Sequence, residues 1–319
     1  MPPTASPALF PAPPETARSR PSPRPGAGRR AREARTGIVL SLPLAAVVAV
    51  LFVVPVGLAG WMSLHDWPLL GAPAFSGGRN YALAVQDRLF VEAVVFTLKY
   101  TAVTTVVLLT LSLGLALLVQ RPGRGVGLAR TAFFQPAVVG LAVASLLWYV
   151  IFSDEAGPLG PLLAALGIGD GTVDWFGTPG AALWSTVLMI TWRFAGFYML
   201  VLLTGLQAIP DDVYEAARVD GAGWWRTLRH VTLPLLRPTL ALALTLCVTG
   251  SLLAFEQFVL LTSGGPDNST VTVVMTVYRQ AFTLLDVGVA AAMSVLVALV
   301  LVVGNVVQLS ILRERGDRR

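Results

Sequence analysis

Four stretches of this chain, 38–65, 100–120, 131–153 and 287–312, contain no Asp, Glu, Lys or Arg. Each is longer than the roughly 20 helical residues that cross about 30 Å of hydrocarbon. Two further runs are interrupted once: 175–210 by Arg193 and 238–266 by Glu256. A backbone in lipid must satisfy its own hydrogen bonds, so uninterrupted apolar runs of this length are helices and not barrel strands. The expectation is an all-α polytopic membrane protein with six transmembrane helices.

Composition agrees. Of 319 residues only 13% are charged, and mean hydropathy is +0.71; a soluble domain carries charge on about a quarter of its residues. The net charge of +5 would suit nucleic acid, but its distribution does not. Eighteen arginines fall before the first run, in the second and fourth loops and after the last run, while the alternate loops hold three. By the positive-inside rule both termini and the 207–236 loop are cytoplasmic. The third loop, with Asp154, Glu155, Asp170 and Asp174, is then outside. This pattern places the chain in the cell (plasma or inner) membrane, with lipid and not nucleic acid around it.

Residues 1–36 are rich in Pro, Ala and Arg and poor in large apolar side chains, which predicts a disordered basic cytoplasmic tail. The apolar run that follows is too long for a secretory signal core and reads as an uncleaved anchor. A six-helix domain would occupy 37–312, and 313–319 form a short basic tail. Pro136, near the start of the third run, is placed to kink it. Cys247 stands alone within an apolar run, so no disulfide forms within the chain and a small buried role is expected.

The 207–236 loop is polar, basic and helical in pattern. Asp212 with Glu215 three residues later has capping-box spacing. Val213, Ala216 and Ala217 fall on one helical face as a narrow stripe of small side chains. Gly221 follows Asp220 where a left-handed turn would end the helix. Trp224, Trp225, Leu228 and Val231 give a second apolar patch, and Thr232-Leu233-Pro234 reads as the cap and first turn of the next span. From chemistry alone, such a helix could lie on the lipid surface with its arginines at the headgroups.

The positions Glu215, Ala216, Ala217, Asp220, Gly221, Leu233 and Pro234 resemble the EAA loop of permease subunits in binding-protein-dependent ABC importers. The resemblance extends over about 90–310. Leu261–Pro266, Tyr278-Arg279-Gln280-Ala281-Phe282 and Ala290–Ser294 are similar to the sugar-importing branch, its maltose-type and glycerol-phosphate-type first permease. It implies a type I ABC importer permease fold, a coupling helix that docks into an ATPase dimer, a second permease subunit and an extracytoplasmic solute-binding protein. Val231 and Leu228 replace the commoner Ile and Phe of that motif.

No ATP site is encoded: a phosphate-cradling loop needs Lys followed by Ser or Thr, and the only lysine, Lys99, precedes Tyr100. ATP and Mg²⁺ would be bound by the partner ATPase, and this chain would carry neither cofactor nor catalytic residue. His65, His230 and Cys247 are too few and scattered for zinc. Charges at membrane depth cost about 2.5–3.5 kcal/mol each on insertion scales, and so read as functional. Glu256 with Gln257 could hydrogen-bond sugar hydroxyls, with Phe255 and Phe258 offering apolar faces and Tyr198 and Thr262 as further contacts. Alternatively Glu256 pairs with Arg193, or carries a proton in an ion-coupled transporter.

Overall fold

The computed structural model describes residues 40–68, 70–153, 157–167 and 173–314. The two expected tails (apart from 313–314) and Asp154, Glu155 and Asp170 lie outside them. The chain forms two compact units, Met1–Val56 and Gly57–Arg319. In the first, helix α1 (Leu40–Met62) begins, with a π segment at Ala49–Val53 and exposed apolar side chains such as Leu51 and Phe52.

The second unit opens on a two-stranded antiparallel ribbon, β1 (His65–Asp66) with β2 (Ala74–Phe75), pairing His65 with Phe75. The buried Asn80 of α2 (Arg79–Gln86) locks it, donating from Nδ2 to the carbonyls of Ser63 (3.0 Å) and His65 (2.9 Å). α3 (Arg88–Leu118) starts earlier than the apolar run suggests, because the Asp87 carboxylate accepts from the Phe90 N–H at 3.0 Å and caps it. Arg88, Glu92 and Lys99, which bound the run in sequence, all lie within this helix. At its other end Arg130 donates to the Val119 carbonyl at 2.7 Å, closing the turn into α4 (Val126–Phe134).

The third span is two helices. α4 continues as a 3-10 turn, Gln135–Val138, and α5 (Leu141–Ile151) departs at 96°. The break falls at the extended Val139 and at Gly140, just beyond Pro136. α6 (Leu159–Ala165) is a short helix of the following loop. α7 (Pro179–Gln207), capped by the Thr178 hydroxyl, is the central helix: 61% of its most apolar window is buried, against 33% for α3. It packs along α3, where Ser112 Oγ donates to the Ala195 carbonyl at 3.1 Å. Beside it Gly196 meets the backbone of Phe133 and Phe134 so closely that a Cβ would not fit. Without a water-driven hydrophobic effect between helices, such small-residue contacts are how membrane helices associate.

α8 (Asp211–Val219) and α9 (Trp224–Leu235) form the loop region, and α10 (Arg237–Leu252) leaves α9 at 71°. Pro238 has no N–H to give the Pro234 carbonyl, so the ladder fails at this bend. The 238–266 run is likewise not one helix: α10 ends at Leu252, and Phe255 (φ −141°, ψ −67°) precedes a separate α11 (Glu256–Leu261). α12 (Val273–Tyr278, continued by a π turn Arg279–Thr283) and α13 (Val287–Glu314) complete the chain. Thus among the described residues α1, α3, α7 and α13 are each long and apolar enough to cross a membrane, and the spans number up to six where each bent pair counts as one.

Candidate functional site

The break at Leu253–Phe255 opens a site. Non-helical backbone at membrane depth persists where it lines a cavity, and here it borders one of about 380 Å³. Of the residues singled out for a substrate path, Tyr198, Phe255, Glu256 and Gln257 line it, while Phe258, fully buried, and Thr262 do not. α7 adds Phe194 and Phe197, and α3 adds Tyr100. The Glu256 carboxylate bears the only formal charge in this lining, and its side chain is exposed. Gln257 is buried; its Nε2 donates to Tyr100 Oη at 3.4 Å, and its Oε1 has no partner among the described residues. Phe258, fully buried, holds the Tyr100 ring edge-on at 4.8 Å between centroids. Tyr198 is buried with its ring edge-on to Phe197, 5.2 Å away. Cys247 is buried and also lines the cavity, with Sγ 3.7 Å from Thr105 Oγ1.

Arg193 does not pair with Glu256 among the described residues. Its guanidinium lies over the Phe194 ring, 4.6 Å from the centroid, and its buried Nε has no partner among the described residues. Tyr100 was missed by sequence reasoning. The signal that could have found it is a polar stripe, Thr97, Tyr100, Thr101, Thr104 and Ser112, at helical spacing and buried throughout.

The loop region is built differently from its pattern in three respects. Pro210, not Asp212, is the N-cap of α8; Asp211 and Asp212 lie in the first turn and offer no side-chain cap bond, although their charges suit the helix N-terminus. Val213 and Ala217 turn inward with Tyr214, while Ala216 is exposed, so the small-residue stripe is split between two faces. Thr232 is the last residue of a π segment, Leu228–Thr232, and caps nothing. The C-terminus of α8 does match: Gly221 has φ +74°, its N–H bonds the Arg218 carbonyl at 3.0 Å, and the Ala222 N–H bonds that of Ala217 at 2.9 Å. This paired pattern closes the helix through a left-handed residue.

The structure therefore brings Glu215, Ala216, Asp220 and Gly221 together on one exposed turn, with Glu215 3.7 Å from Arg218. Ala217 anchors that turn from beneath, 8% exposed. Leu233 and Pro234 are not part of it; they are half-buried at the base of α9, next to the bend. Trp224 and Trp225 are 68% and 65% exposed, with rings 5.8 Å apart. Between α8, α9 and the 117–122 turn lies a second cavity of about 780 Å³, bordered by Arg121, Tyr214 and Arg218.

Residues 109–314 match the family described as the binding-protein-dependent transport system inner membrane component. The chain belongs to that family. It is a multi-pass membrane permease component. It is 33% identical over 287 residues to the trehalose/maltose transport system permease protein MalF of Thermococcus litoralis, covering 90% of this chain and 96% of that one. To the trehalose transport system permease protein SugA of Mycobacterium tuberculosis it is 34% identical over 272 residues, covering 85% and 86%. Among solved structures, a bacterial ABC transporter involved in the import of the acidic polysaccharide alginate superposes with a TM-score of 0.78 at 20% identity, covering 90% of this chain and 98% of that one. That likeness shows the fold, that of a type I ABC importer permease.

Proposed function

We propose that this permease passes a sugar or oligosaccharide through the cavity between α3, α7, α10 and α11, driven by a separate ATPase. The observation that carries the reading is the lining itself. Aromatic faces from Phe194, Phe197, Tyr198 and Phe255 surround a few polar groups, Glu256, Gln257 and Tyr100. Sugars need both: hydroxyls to hydrogen-bond, and C–H faces to lie on rings. The trehalose and maltose systems of the curated relatives point to the same cargo class.

In this reading the exposed turn carrying Glu215, Ala216, Asp220 and Gly221 docks into one subunit of a cytoplasmic ATPase dimer, with Ala217 fixing its seat. Leu233 and Pro234 act at the hinge between α9 and α10. ATP and Mg²⁺ reside in that dimer. A second permease completes the path, and a solute-binding protein delivers cargo from outside. Closure of the ATPase moves α8, and the cavity alternates between its two openings.

The charge of Glu256 allows a test against proton coupling. Glu256→Gln is expected to change substrate preference yet keep ATP-dependent uptake, because an amide retains an acceptor where a titrating carboxyl is not needed. Glu256→Leu is expected to reduce uptake further. Proteoliposomes holding the whole complex, with ATP and no proton gradient, give the measurement. Uptake that ignores ATP, needs the gradient and disappears in Glu256→Gln would replace this reading with an ion-coupled carrier.

Orientation can be measured separately. In a Cys247→Ala background, an impermeant thiol reagent added outside is expected to label Asp267→Cys and not Arg226→Cys, both exposed positions. Equal labelling of the two would overturn the cytoplasmic placement of the loop.

A further inference from the structure

α12 starts against the first half of α3, where the Val273 N–H donates to Thr97 Oγ1 at 3.0 Å, whereas α8 lies beside the far end of α3, at 117–122. On α12 the sequence puts Tyr278 and Phe282 four residues apart, and the π turn Arg279–Thr283 carries both rings to one side. Their centroids are 5.0 Å apart with planes tilted by 36°. Tyr278 in turn lies 5.4 Å from Phe255, and Phe255 lines the cavity beside Glu256. Exposure grades along this ladder: Phe255 is half-buried, Tyr278 49% exposed and Phe282 69%. Three rings thus step from open surface to the cavity wall without a gap.

The ladder is held in place. Arg279, between the two outer rings, donates from Nη1 to Asn268 Oδ1 at 2.9 Å and from Nη2 to the Ser263 carbonyl at 3.2 Å. The loop it grips is itself fastened: Thr270 Oγ1 donates to the Gly265 carbonyl and Thr272 Oγ1 to that of Ala254, both at 2.7 Å. The last bond joins the loop to the residue just before Phe255. A greasy exposed ring on a floppy loop would collapse; these rings are propped.

We propose that Phe282, Tyr278 and Phe255 form an entry track on which a saccharide slides, ring over ring, from the outer surface to the Glu256 cavity. This rests on the sugar reading above. The chemistry fits that cargo. The apolar C–H face of a pyranose carries slight positive charge and meets the negative face of an aromatic ring, while its hydroxyls stay in water. Contact with each rung is weak and nearly alike, so cargo moves on instead of lodging. The continuity with the cavity distinguishes the track from a patch meant for another protein.

The test uses the full complex in proteoliposomes, with its binding protein and radiolabelled maltose, trehalose and maltotriose as probes. Tyr278→Ala with Phe282→Ala is expected to lower the initial uptake rate about tenfold, the scale of two lost ring contacts. The loss should be steeper for maltotriose, which spans more of the track. The pair Tyr278→Phe with Phe282→Tyr, which keeps both rings, should restore most of the rate. Co-purification of the partner permease should persist in the alanine pair. Unchanged uptake in the alanine pair would overturn the track alone. Loss of the partner permease would also overturn it, making the ladder an intersubunit contact. Wild-type vesicles that import none of the three probes would remove the sugar reading, and the track with it.

Discussion

Gly196→Val is expected to leave almost no folded permease. The glycine lies where α7 crosses the end of α4, and an added Cβ would overlap the Phe133 carbonyl and crowd the Phe134 Cα. Both obstacles are backbone, so no side chain can swing aside. Overpacking a close contact costs about 1–3 kcal/mol where neighbours can shift; here the loss should be at the upper end or beyond. Even Gly196→Ala carries the offending atom. Gly114→Ala is the control, since a Cβ there meets nothing within 4 Å, and alanine favours a helix by roughly 0.5–1 kcal/mol. The measurement is thermal stability of the detergent-solubilised protein by size-exclusion chromatography. A monodisperse Gly196→Ala protein melting with the wild type would mean the two helices are not packed as described.

Gly221→Val should have a different signature: normal insertion and folding, with uptake falling at least about tenfold and the ATPase lost on purification. A Cβ at Gly221 meets open space, so the cost is not steric crowding. It comes from φ +74°, a conformation that costs a side-chain-bearing residue about 1–2 kcal/mol, with β-branched residues worst placed to adopt it. The chain can escape by unwinding the two bonds that close α8, and the exposed turn is then no longer preformed for docking. Gly221→Asn, which tolerates the left-handed region, should keep most of the function. Full uptake and an intact complex in Gly221→Val would mean that the turn lies on lipid and grips nothing.

What the chain disclosed in advance follows a physical division. Spans were legible because absence of charge over twenty residues is a one-dimensional property. The helix end at Gly221 was legible because only backbone geometry was at stake. The cap of α8 was misread, since Asp212 has the right spacing but Pro210 already holds the extended conformation that an N-cap needs. The bends were harder: Pro136 announced one, yet the break falls three residues on, at the extended Val139 and at Gly140. Glu256 and Gln257 could be singled out by polarity at depth, and Phe255 as an apolar face beside them. Tyr100 is marked in the sequence only by its place in the polar stripe of α3; its pairing with Gln257, 157 residues away, has no local signature.

The central position of α7 bears on how such proteins could be re-engineered. Tyr198 and the end of the helix at Gln207 are nine residues apart on one unbroken rod, roughly 14 Å. Near that end Gly205 presses directly against Thr239 and Leu236 at the α9–α10 bend. The ring that lines the cavity and the glycine that meets the bend are therefore carried on a single stiff piece. A chimera that borrows a relative's cavity residues on α7 inherits that relative's seating against α10 as well. Residues 179–261 are the natural unit of exchange, and smaller grafts will import a new pocket attached to the wrong gear.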